Sequence, residues 1–375
     1  MENRLRIIHI IPNLKKGGAE RLAITICNAL AHEKEVKVKL ISFSSQNEYD
    51  KLISNNIWEI IPSDYIPSVT KKPYINIQNL QAFINDFAPH IIHTHLWKAE
   101  IVSRHIQYPN AKWFSHVHDN MPQLKKLKLP ITKKNITNWY ERSIMIPKYK
   151  ATKTHFITIS HHTFNYIQNN IPEELKKNVH LLHNAIDVQN FVRPPEHKKN
   201  NTTLQLVSVG SLVRKKNHAF LIRVVQELRV LHIDCVLHIL GEGPQKPHIE
   251  QLIQKHSLQN HIQLHGNVDV ETFYWNADIY VHSALYEPFG LVLIEAMAAG
   301  LPVVCLNGKG NADIIQHSVN GFMVPKQNAK VFAEHIRNLW ENKQLYSDIS
   351  RQAYESAQQY SIHDYIKKLL VLYQK

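Results

Sequence analysis

Cysteine is scarce in this sequence, with 3 among 375 residues. Cys27, Cys235 and Cys305 are far apart and form no C-x-x-C pair. Disulfide frameworks, zinc ribbons and dithiol redox motifs all need paired cysteines, so the sequence favours none of these classes. The cysteine content fits a reducing cytosol.

Long apolar runs are also missing. The longest, residues 289–306, is interrupted by Glu295, Gly300 and Pro302, whereas a spanning helix needs about 20 predominantly apolar residues. The apolar run at residues 7–11 is shorter than the hydrophobic segment of a signal peptide. We therefore expect a cytoplasmic protein without a transmembrane segment.

Acidic residues are in deficit, with 31 Asp and Glu against 44 Lys and Arg, which gives a formal charge of +13. Residues 1–190 hold 25 basic and 15 acidic side chains, a net charge of +10, and residues 191–375 hold 19 and 16, a net charge of +3. A basic surface attracts anionic lipid headgroups, nucleic acids and phosphorylated substrates alike. Charge alone does not choose among these partners.

The length predicts two domains, and both halves alternate β-rich runs with helical periodicity, as α/β proteins do. In the predicted helix His218–Val230, for example, Leu221, Val225 and Leu228 recur at helical spacing. The strands predicted in the first half are Ile7–Ile11, Val36–Phe43, His90–His95, Lys112–Val117 and Thr154–Ile159. Those predicted in the second half are Leu204–Val209, Cys235–Leu240, Ile262–His265, Ile279–His282, Pro302–Leu306 and Gly321–Val324.

The most informative segment is residues 287–300, which follows a predicted strand and turns into a helix. Pro288 and Gly290 indicate a tight turn, so the backbone N–H groups of residues 289–291 are expected at a helix N-terminus, where phosphate binds. Glu287 flanks that position, and Glu295 lies about 8 Å further along the axis, at roughly 1.5 Å per residue.

Glu295 is the one charged residue within an otherwise apolar helical segment. A buried carboxylate is costly unless it is paired, so a ligand hydroxyl or a donor is expected beside it. The alternative is that Glu295 is a solvated helix residue and Glu287 is favoured there only by the helix dipole.

The sequence resembles the retaining glycosyltransferases of family 4. Glu287 and Glu295 match the E-x7-E signature of that family. Further matches are Gly17-Gly18-Ala19-Glu20, His118-Asp119, Asn184-Ala185-Ile186-Asp187 and Gly241-Glu242-Gly243-Pro244. The resemblance covers almost the whole chain and implies the α/β architecture called GT-B, in which two Rossmann-like domains face each other across a cleft.

The resemblance implies an N-terminal acceptor-binding domain, placed at residues 1–187, and a C-terminal nucleotide-sugar-binding domain, placed at residues 204–355. Residues 188–203 are rich in proline, lysine and asparagine and lack an apolar period, so they form the predicted linker. A C-terminal helix, residues 356–375, is expected to cross back to the N-terminal domain.

The implied function is retaining, metal-independent transfer of a hexose from a nucleotide-diphosphate donor, expected to be a UDP-sugar, to a lipid-linked or surface-polysaccharide glycan. In this family, Glu295 would hold the ribose hydroxyls, and Glu287 would hold the donor sugar. The expected catalytic residues are His118, Lys216 and Glu287. The expected donor-binding residues are Gly17, Gly18, Ser211, Arg214, Lys216, Gly241, Gly243, Glu287, Phe289, Gly290, Leu291 and Glu295.

Lys216 matches the family lysine that neutralises the leaving diphosphate. It follows a predicted strand, at the sheet edge where open α/β folds bind ligands. The family commonly has arginine where this chain has Ser211, so Arg214 or Lys215 is a candidate for the second cation. A site with one cation and a solvated basic turn are the alternatives.

His118 follows the strand 112–117, and by resemblance it contacts the donor sugar near the reacting carbon. A structural role is the alternative, because the chain has 25 histidines. A metal site is also compatible with two histidine pairs, His93 with His95 and His116 with His118, since residues i and i+2 of a strand share a face. No D-x-D pair occurs to hold a diphosphate through a metal ion, so neither a metal nor another cofactor is expected.

Residues 123–130, with Lys133 and Lys134 close behind, interleave leucines with lysines. Such a segment suits an anionic membrane surface, and a solvated basic loop is the alternative. The basic N-terminal domain is therefore expected to meet the inner face of the membrane, where a lipid-linked acceptor would lie.

Two other functions are compatible with parts of the sequence. Another GT-B enzyme, such as a nucleotide-sugar epimerase or a phosphorylase, would use a similar site. A nucleic-acid-binding protein would explain the basic first half, but that function lacks a recognition module and leaves Glu287 and Glu295 without a role. We expect no nucleic-acid partner.

Overall fold

The computed structural model describes residues 4–54, 56–68, 72–126, 132–194 and 202–375, and the chain divides into two compact units. Unit 1 contains Met1–Ala185 together with Ile362–Lys375, and unit 2 is Ile186–Ser361. The predicted linker, residues 188–203, therefore falls within unit 2. The chain returns to unit 1 at residue 362 and not at residue 356.

Unit 1 is built on a parallel sheet. Its strands are β1 (Leu5–Ile11), β2 (Val36–Ser42), β3 (Trp58–Ile60), β4 (Asp64–Ile66), β5 (Tyr74–Asn76), β6 (Ile91–His95), β7 (Lys112–Val117), β8 (His155–Thr158) and β9 (Val179–Leu181). Within the described residues the sheet order is β3-β2-β1-β6-β7-β8-β9, and β4 pairs with β5 in a separate antiparallel hairpin.

Unit 2 is built on a second parallel sheet. Its strands are β10 (Leu204–Val209), β11 (Cys235–Leu240), β12 (Ile262–Gly266), β13 (Ile279–His282), β14 (Val303–Leu306) and β15 (Phe322–Val324). Their order is β12-β11-β10-β13-β14-β15, so the direction of winding reverses between β10 and β13.

Helices connect the strands of both sheets. Those before unit 2 are α1 (Gly18–Ala31), α2 (Gln78–Phe87), α3 (Leu96–Ser103), α4 (Lys133–Ala151), α5 (His161–Asn170) and α6 (Glu173–Lys176). Those of unit 2 are α7 (His218–Val230), α8 (Lys246–Lys255), α9 (Glu271–Asn276), α10 (Leu291–Ala298), α11 (Ala329–Glu341) and α12 (Lys343–Gln358), and α13 (Ile362–Gln374) returns to unit 1. None of these helices is both long and apolar enough to cross a membrane.

The predicted α/β class is confirmed, and each strand predicted from sequence is present with ends that differ by two residues or fewer. Strands β3, β4, β5 and β9 were not predicted from the sequence. Each of these four has only three residues, which is too short to show a period. The predicted C-terminal helix is present as α13 and returns to unit 1, but it begins at Ile362 and not at residue 356, because α12 extends to Gln358.

Some strands, such as β1 and β14, are buried on both faces, as expected where helices cover both faces of a parallel sheet. In β1, Ile7, Ile8, Ile10 and Ile11 are all fully buried. A strand with one face in water would alternate instead. The pattern of β1 therefore already specifies a sheet with two covered faces.

The last helix, α13, covers part of one face of the unit 1 sheet. Tyr365, Ile366, Leu369 and Tyr373 form its buried stripe and pack in the same apolar cluster as residues of α1 and β1. The Lys112 ammonium donates a hydrogen bond of 2.9 Å to the carbonyl of Gln374, at the C-terminal end of the helix where a cation is favourable.

Glycines let the loops that follow β10 and β11 interlock at the carboxyl edge of the unit 2 sheet. Gly241 has φ +135°, and a Cβ there would lie 2.2 Å from the carbonyl oxygen of Gly210. Gly243 has φ +157°, and a Cβ there would lie 2.6 Å from the carbonyl oxygen of Leu212. In both cases the Cβ would collide with a backbone atom, so no movement of a flexible side chain can relieve the collision.

We predict that Gly241→Ala lowers the free energy of unfolding by at least about 2 kcal/mol, from the left-handed φ and the backbone collision together. Gly300→Ala is the matched control, since Gly300 also has a positive φ, +75°, but its nearest neighbour is the Ser350 Oγ at 3.6 Å. The control should cost only about 1 kcal/mol. Chemical denaturation followed by tryptophan fluorescence measures both, and equal losses would contradict the interlock.

Candidate active site

The candidate site of unit 2 lies where β10 and β13 are neighbours, at the reversal of strand order that open α/β sheets use for ligands. Hydrogen bonds join the loops that follow these two strands. The Ser283 hydroxyl donates to the carbonyl of Lys216 at 2.9 Å, and the N–H of Leu285 donates to the carbonyl of Lys215 at 2.9 Å. These bonds bring the side chain of Lys216 to the loop that carries Glu287.

Lys216 and Glu287 form an ion pair between Nζ and Oε2. The same oxygen lies 3.1 Å from Nε2 of His282, the last residue of β13. The side chain of Glu287 is 9% exposed and that of Lys216 is 16% exposed, so water screens the pair only weakly. His282 was not predicted as a site residue, although its position at the end of a predicted strand, close before Glu287, was a usable signal.

Burial alone would raise the pKa of Glu287, but the Lys216 ammonium and the His282 hydrogen bond outweigh burial and lower this pKa to about 2. Burial is also the main cause that lowers the pKa of His282, in spite of its contact with Glu287. At neutral pH Glu287 is therefore a carboxylate and His282 a neutral imidazole. Because the carboxylate can only accept, His282 donates through Nε2–H.

The backbone of Glu287 is held by the loop that follows β14. Its N–H donates to the carbonyl of Gly308 at 2.7 Å, and its carbonyl accepts from the N–H of Gly310 at 2.9 Å. A Cβ on Gly310 would lie 1.8 Å from the carbonyl oxygen of Pro288, so only glycine allows this approach. Gly308 and Gly310 were not predicted as site residues, although a G-K-G triplet one residue after a buried strand was a usable signal.

Helix α10 begins beside this pair. Gly290 is its N-cap with φ +111°, and its carbonyl accepts a hydrogen bond of 3.0 Å from the N–H of Leu293. The N–H groups that precede Leu293 in the first turn are those that ordinarily lack an acceptor within a helix. Phe289 is 1% exposed and packs its ring against Tyr360, so its side chain belongs to the core. Of the predicted residues 289–291, it is thus the backbone at the start of α10 that can face a phosphate.

Glu295 lies within α10 and is 1% exposed, which excludes a solvated helix position. It accepts a hydrogen bond of 3.1 Å from the hydroxyl of Tyr274, which is itself fully buried. The expectation of a paired carboxylate at this position therefore holds. Tyr274 was missed, because nothing in the sequence links α9 to α10.

The remaining predicted residues of unit 2 lie along the same edge. Ser211 and Arg214 are exposed, and the Lys215 ammonium lies 5.7 Å from the ring centre of Tyr286. Gly241 and Gly243 shape the neighbouring loops, as described above. Of the predicted residues of unit 2, the structure thus brings Lys216 and Glu287 into contact, whereas Ser211 and Arg214 are exposed in the loop after β10.

In unit 1, the predicted glycine turn begins α1. The N–H of Gly17 donates to the Tyr49 hydroxyl at 2.9 Å, and that hydroxyl donates back to the Gly17 carbonyl at 2.9 Å. The Gly17 amide is therefore engaged within unit 1. Gly18 is the first residue of α1, where N–H groups lack an intrahelical acceptor.

His118 follows β7 and belongs to a group of histidines that we call the imidazole cluster: His9, His93, His95, His116 and His118. All are buried except His118, which is partly exposed. Burial lowers the pKa of His9 and of His116 to about 3, so both are neutral at physiological pH. The two predicted i, i+2 pairs do come together, along with His9 from β1.

Two overlapping triads of the cluster have ring nitrogens within 4.8 Å of one another, close enough to share a metal ion: His9–His93–His95 and His95–His116–His118. Two of the same nitrogen pairs are already hydrogen-bonded. His9 Nδ1 lies 2.8 Å from His95 Nε2, and His95 Nδ1 lies 2.9 Å from His118 Nε2. The contacts between imidazoles therefore account for four ring nitrogens without an ion.

Two family models match the chain in succession. Glycosyltransferase Family 4 matches residues 16–190, and Glycosyl transferases group 1 matches residues 191–356. The chain belongs to the group 1 and family 4 glycosyltransferases. The two matches meet at residue 190, close to the boundary between unit 1 and unit 2.

Solved structures share the fold of this glycosyltransferase over nearly its whole length. A glycosyltransferase from Rickettsia africae ESF-5 gives a TM-score of 0.77 at 20% identity, over 99% of this chain and 98% of that one. Anabaena Alr3699/HepE, in complex with UDP and glucose, gives 0.77 at 18% identity, over 98% of each. The predicted GT-B fold is confirmed.

Curated relatives match smaller parts of the glycosyltransferase. The GtfA subunit of a UDP-N-acetylglucosamine–peptide N-acetylglucosaminyltransferase from Streptococcus agalactiae is 28% identical over 148 residues, 37% of this chain and 29% of the relative. The gpi3 subunit of the phosphatidylinositol N-acetylglucosaminyltransferase from Schizosaccharomyces pombe is 29% identical over 154 residues. These residues are 40% of this chain and 34% of the relative. The match thus spans about a third of the length of each of these relatives.

Proposed function

We propose that the protein transfers a sugar from a UDP-sugar to a lipid-linked or surface-polysaccharide glycan. The observation that carries this proposal is the Lys216–Glu287 pair at the start of α10, with the buried Glu295 further along the same helix. Support for UDP comes from proteins of the same fold. Anabaena Alr3699/HepE was solved with UDP and glucose, and pneumococcal O-GlcNAc transferase GtfA was solved with UDP and GlcNAc.

In this proposal the diphosphate binds at the N-terminal end of α10 and takes Lys216 as its counter-ion. Glu287 holds the ammonium in place before the donor arrives, at an oxygen that His282 also holds. A diphosphate carries more negative charge than one carboxylate, so it competes well for the lysine. The donor then needs no metal ion, which agrees with the absence of D-x-D from the sequence.

The ribose would bind at Glu295, whose carboxylate accepts hydrogen bonds from two adjacent hydroxyls. His118 would contact the donor sugar near the reacting carbon. The acceptor oxygen bonds to that carbon as the sugar–phosphate bond breaks, the acceptor proton goes to the departing phosphate oxygen, and the anomeric configuration is retained. No side chain is then needed as a base.

We predict that Lys216→Ala lowers kcat about 10²- to 10³-fold, since it removes a positioned positive charge from the leaving group. Arg351→Ala is the matched control, because it removes one positive charge from an exposed pair in the same unit. The assay follows sugar transfer from UDP-sugars in EDTA, and the product's anomeric proton reports the configuration. Near-normal turnover by Lys216→Ala, or loss of wild-type activity in EDTA, would refute this part.

We predict that Glu295→Gln weakens UDP binding about 10- to 100-fold, the range for a hydrogen bond to a charged group. Calorimetry with 2′,3′-dideoxy-UDP separates ribose recognition from a general defect, because this ligand should bind the wild type and the variant alike. Tyr274→Phe, which removes only the partner hydroxyl, should have a smaller effect. If Glu295→Gln weakens both ligands equally, Glu295 does not hold the ribose.

We also propose that unit 1 lies on an anionic membrane, which would place a lipid-linked acceptor at the enzyme. On α4, Ile136 and Trp139 are 46% and 48% exposed and share a face, and lysines 133 and 134 are exposed on the first turn. The leucine–lysine stretch that suggested membrane contact, residues 123–130, lies outside the described residues at positions 127–130.

The hairpin formed by β4 and β5 adds to this surface. Ile66 and Tyr74 are 54% and 55% exposed, more than is usual for large apolar side chains. The Tyr140 hydroxyl donates to the carbonyl of Ser68 at 2.7 Å, which ties α4 to the segment after β4. Apolar side chains among lysines are the arrangement that binds an anionic bilayer interface.

In flotation with phosphatidylglycerol vesicles, the wild type should float with the vesicles. The double variant Ile136→Ser/Trp139→Ser should have an affinity for the vesicles at least about tenfold lower. Val230→Ser in unit 2 is the control, because Val230 is 73% exposed on α7 and should not contribute. High salt should release the wild type, since the lysines act through charge. A wild type that ignores phosphatidylglycerol rules out this surface.

A further inference from the structure

The partly exposed His118 is connected to the buried end of α13 by a continuous series of hydrogen bonds. His118 Nε2 lies 2.9 Å from His95 Nδ1, and His95 Nε2 lies 2.8 Å from His9 Nδ1. His9 Nε2 in turn lies 3.3 Å from the hydroxyl of Tyr373. Both nitrogens of His9 and of His95 are therefore used, one on each side.

The four residues come from four different elements of unit 1. His9 lies on β1, His95 ends β6, His118 follows β7, and Tyr373 lies on α13. In the sheet, β6 pairs with β1 on one side and with β7 on the other, so the three imidazoles lie on neighbouring strands. Local sequence alone cannot produce this series, because it depends on the pairing of the strands.

Each imidazole of the series is neutral at physiological pH. Burial lowers the pKa of His9 to about 3 and holds the pKa of His118 well below its ordinary value. Burial, followed by the charges of the neighbouring histidines, does the same to the pKa of His95. A neutral imidazole has one N–H donor and one bare nitrogen, so every ring in the series must donate in the same direction.

The direction is set at Tyr373. Its hydroxyl oxygen lies 2.6 Å from His93 Nδ1, a distance in the range of a hydroxyl donor and shorter than the usual N–H donor distance. Tyr373 therefore donates to His93 and accepts from His9 Nε2–H. It follows that His95 donates to His9 and that His118 donates to His95.

We propose that Tyr373, His9 and His95 form a one-way hydrogen-bond chain that fixes the ring orientation and the tautomer of His118. His118 carries its proton on Nε2 and presents Nδ1 as a bare acceptor. A bare ring nitrogen accepts the hydrogen of a sugar hydroxyl, whereas the opposite tautomer would present a second donor. Tyr373, His9 and His95 are positioning residues, and their effect on turnover rests on the proposed contact of His118 with the donor sugar.

Two substitutions of His95 each keep one of its two hydrogen bonds and remove the other. His95→Asn places an amide near the position of Nδ1 and keeps the bond to His118, whereas His95→Gln places the amide near Nε2 and keeps the bond to His9. The tautomer is read from long-range proton–nitrogen NMR spectra of protein labelled with 15N-histidine, with His118→Ala used to assign the His118 signals. Sugar transfer is measured on the same samples.

In the wild type, His118 should show one neutral tautomer, protonated on Nε2. His95→Asn loses the link to His9, and its amide can donate as well as accept, whereas His95→Gln loses the link to His118. Both variants should therefore show both tautomers of His118 and about 3- to 10-fold slower transfer, the range of one neutral hydrogen bond. His180→Gln and His180→Asn are the matched controls, because His180 takes no part in the proposed hydrogen-bond chain. Its Nε2 lies 3.0 Å from Nδ1 of His155. Neither control should alter the His118 signals.

Because His95 is fully buried, its variants can fail to fold. Tyr373→Phe then supplies the test, since it removes only the hydroxyl that sets the direction, and it should give both tautomers of His118. A wild-type His118 protonated on Nδ1, or a single Nε2–H tautomer retained in His95→Gln or Tyr373→Phe, overturns the proposal. Unchanged transfer by His118→Ala would instead refute the proposed sugar contact and leave the NMR result to decide the hydrogen-bond chain.

Discussion

The ion pair between Lys216 and Glu287 is the contact on which the candidate site of unit 2 depends, because it joins side chains from two loops where a third loop holds the backbone at one edge of the sheet. Lys216 comes from the loop after β10, Glu287 from the loop after β13, and the backbone of Glu287 is bonded to the loop after β14. Removing Lys216 would leave the buried Glu287 carboxylate without its cation, with only the His282 hydrogen bond beside it, which is unfavourable. The site is therefore assembled and electrically balanced before any donor binds.

The two units differ in the charge state of their buried ionisable groups. In unit 2 a cation and a neutral imidazole keep Glu287 ionised although it is buried. In unit 1 the imidazole cluster offers no opposite charge to its members, so burial keeps the rings neutral. Unit 2 thus holds an ion pair at its candidate site, whereas unit 1 holds neutral rings that are hydrogen-bonded to one another.

Much of this architecture was predictable from sequence, since continuous apolar runs such as β1 and the spacing of Glu287 and Glu295 reflect local constraints. What could not be predicted depends on contacts between distant residues. Tyr274 reaches Glu295 across a separation of 21 residues, and Tyr373 reaches His93 across 280. No local pattern carries such pairings, because only the completed fold brings those elements together.

The return of α13 to unit 1 reverses the usual order in which the parts of a two-domain chain mature. During synthesis the N-terminal region leaves the ribosome first and ordinarily folds first. Here the apolar face formed by α1 and β1 receives Tyr365, Ile366, Leu369 and Tyr373 only after all of unit 2 has been made. A nascent or truncated chain that ends before residue 362 would expose that face, which makes it a natural target for chaperones and proteases.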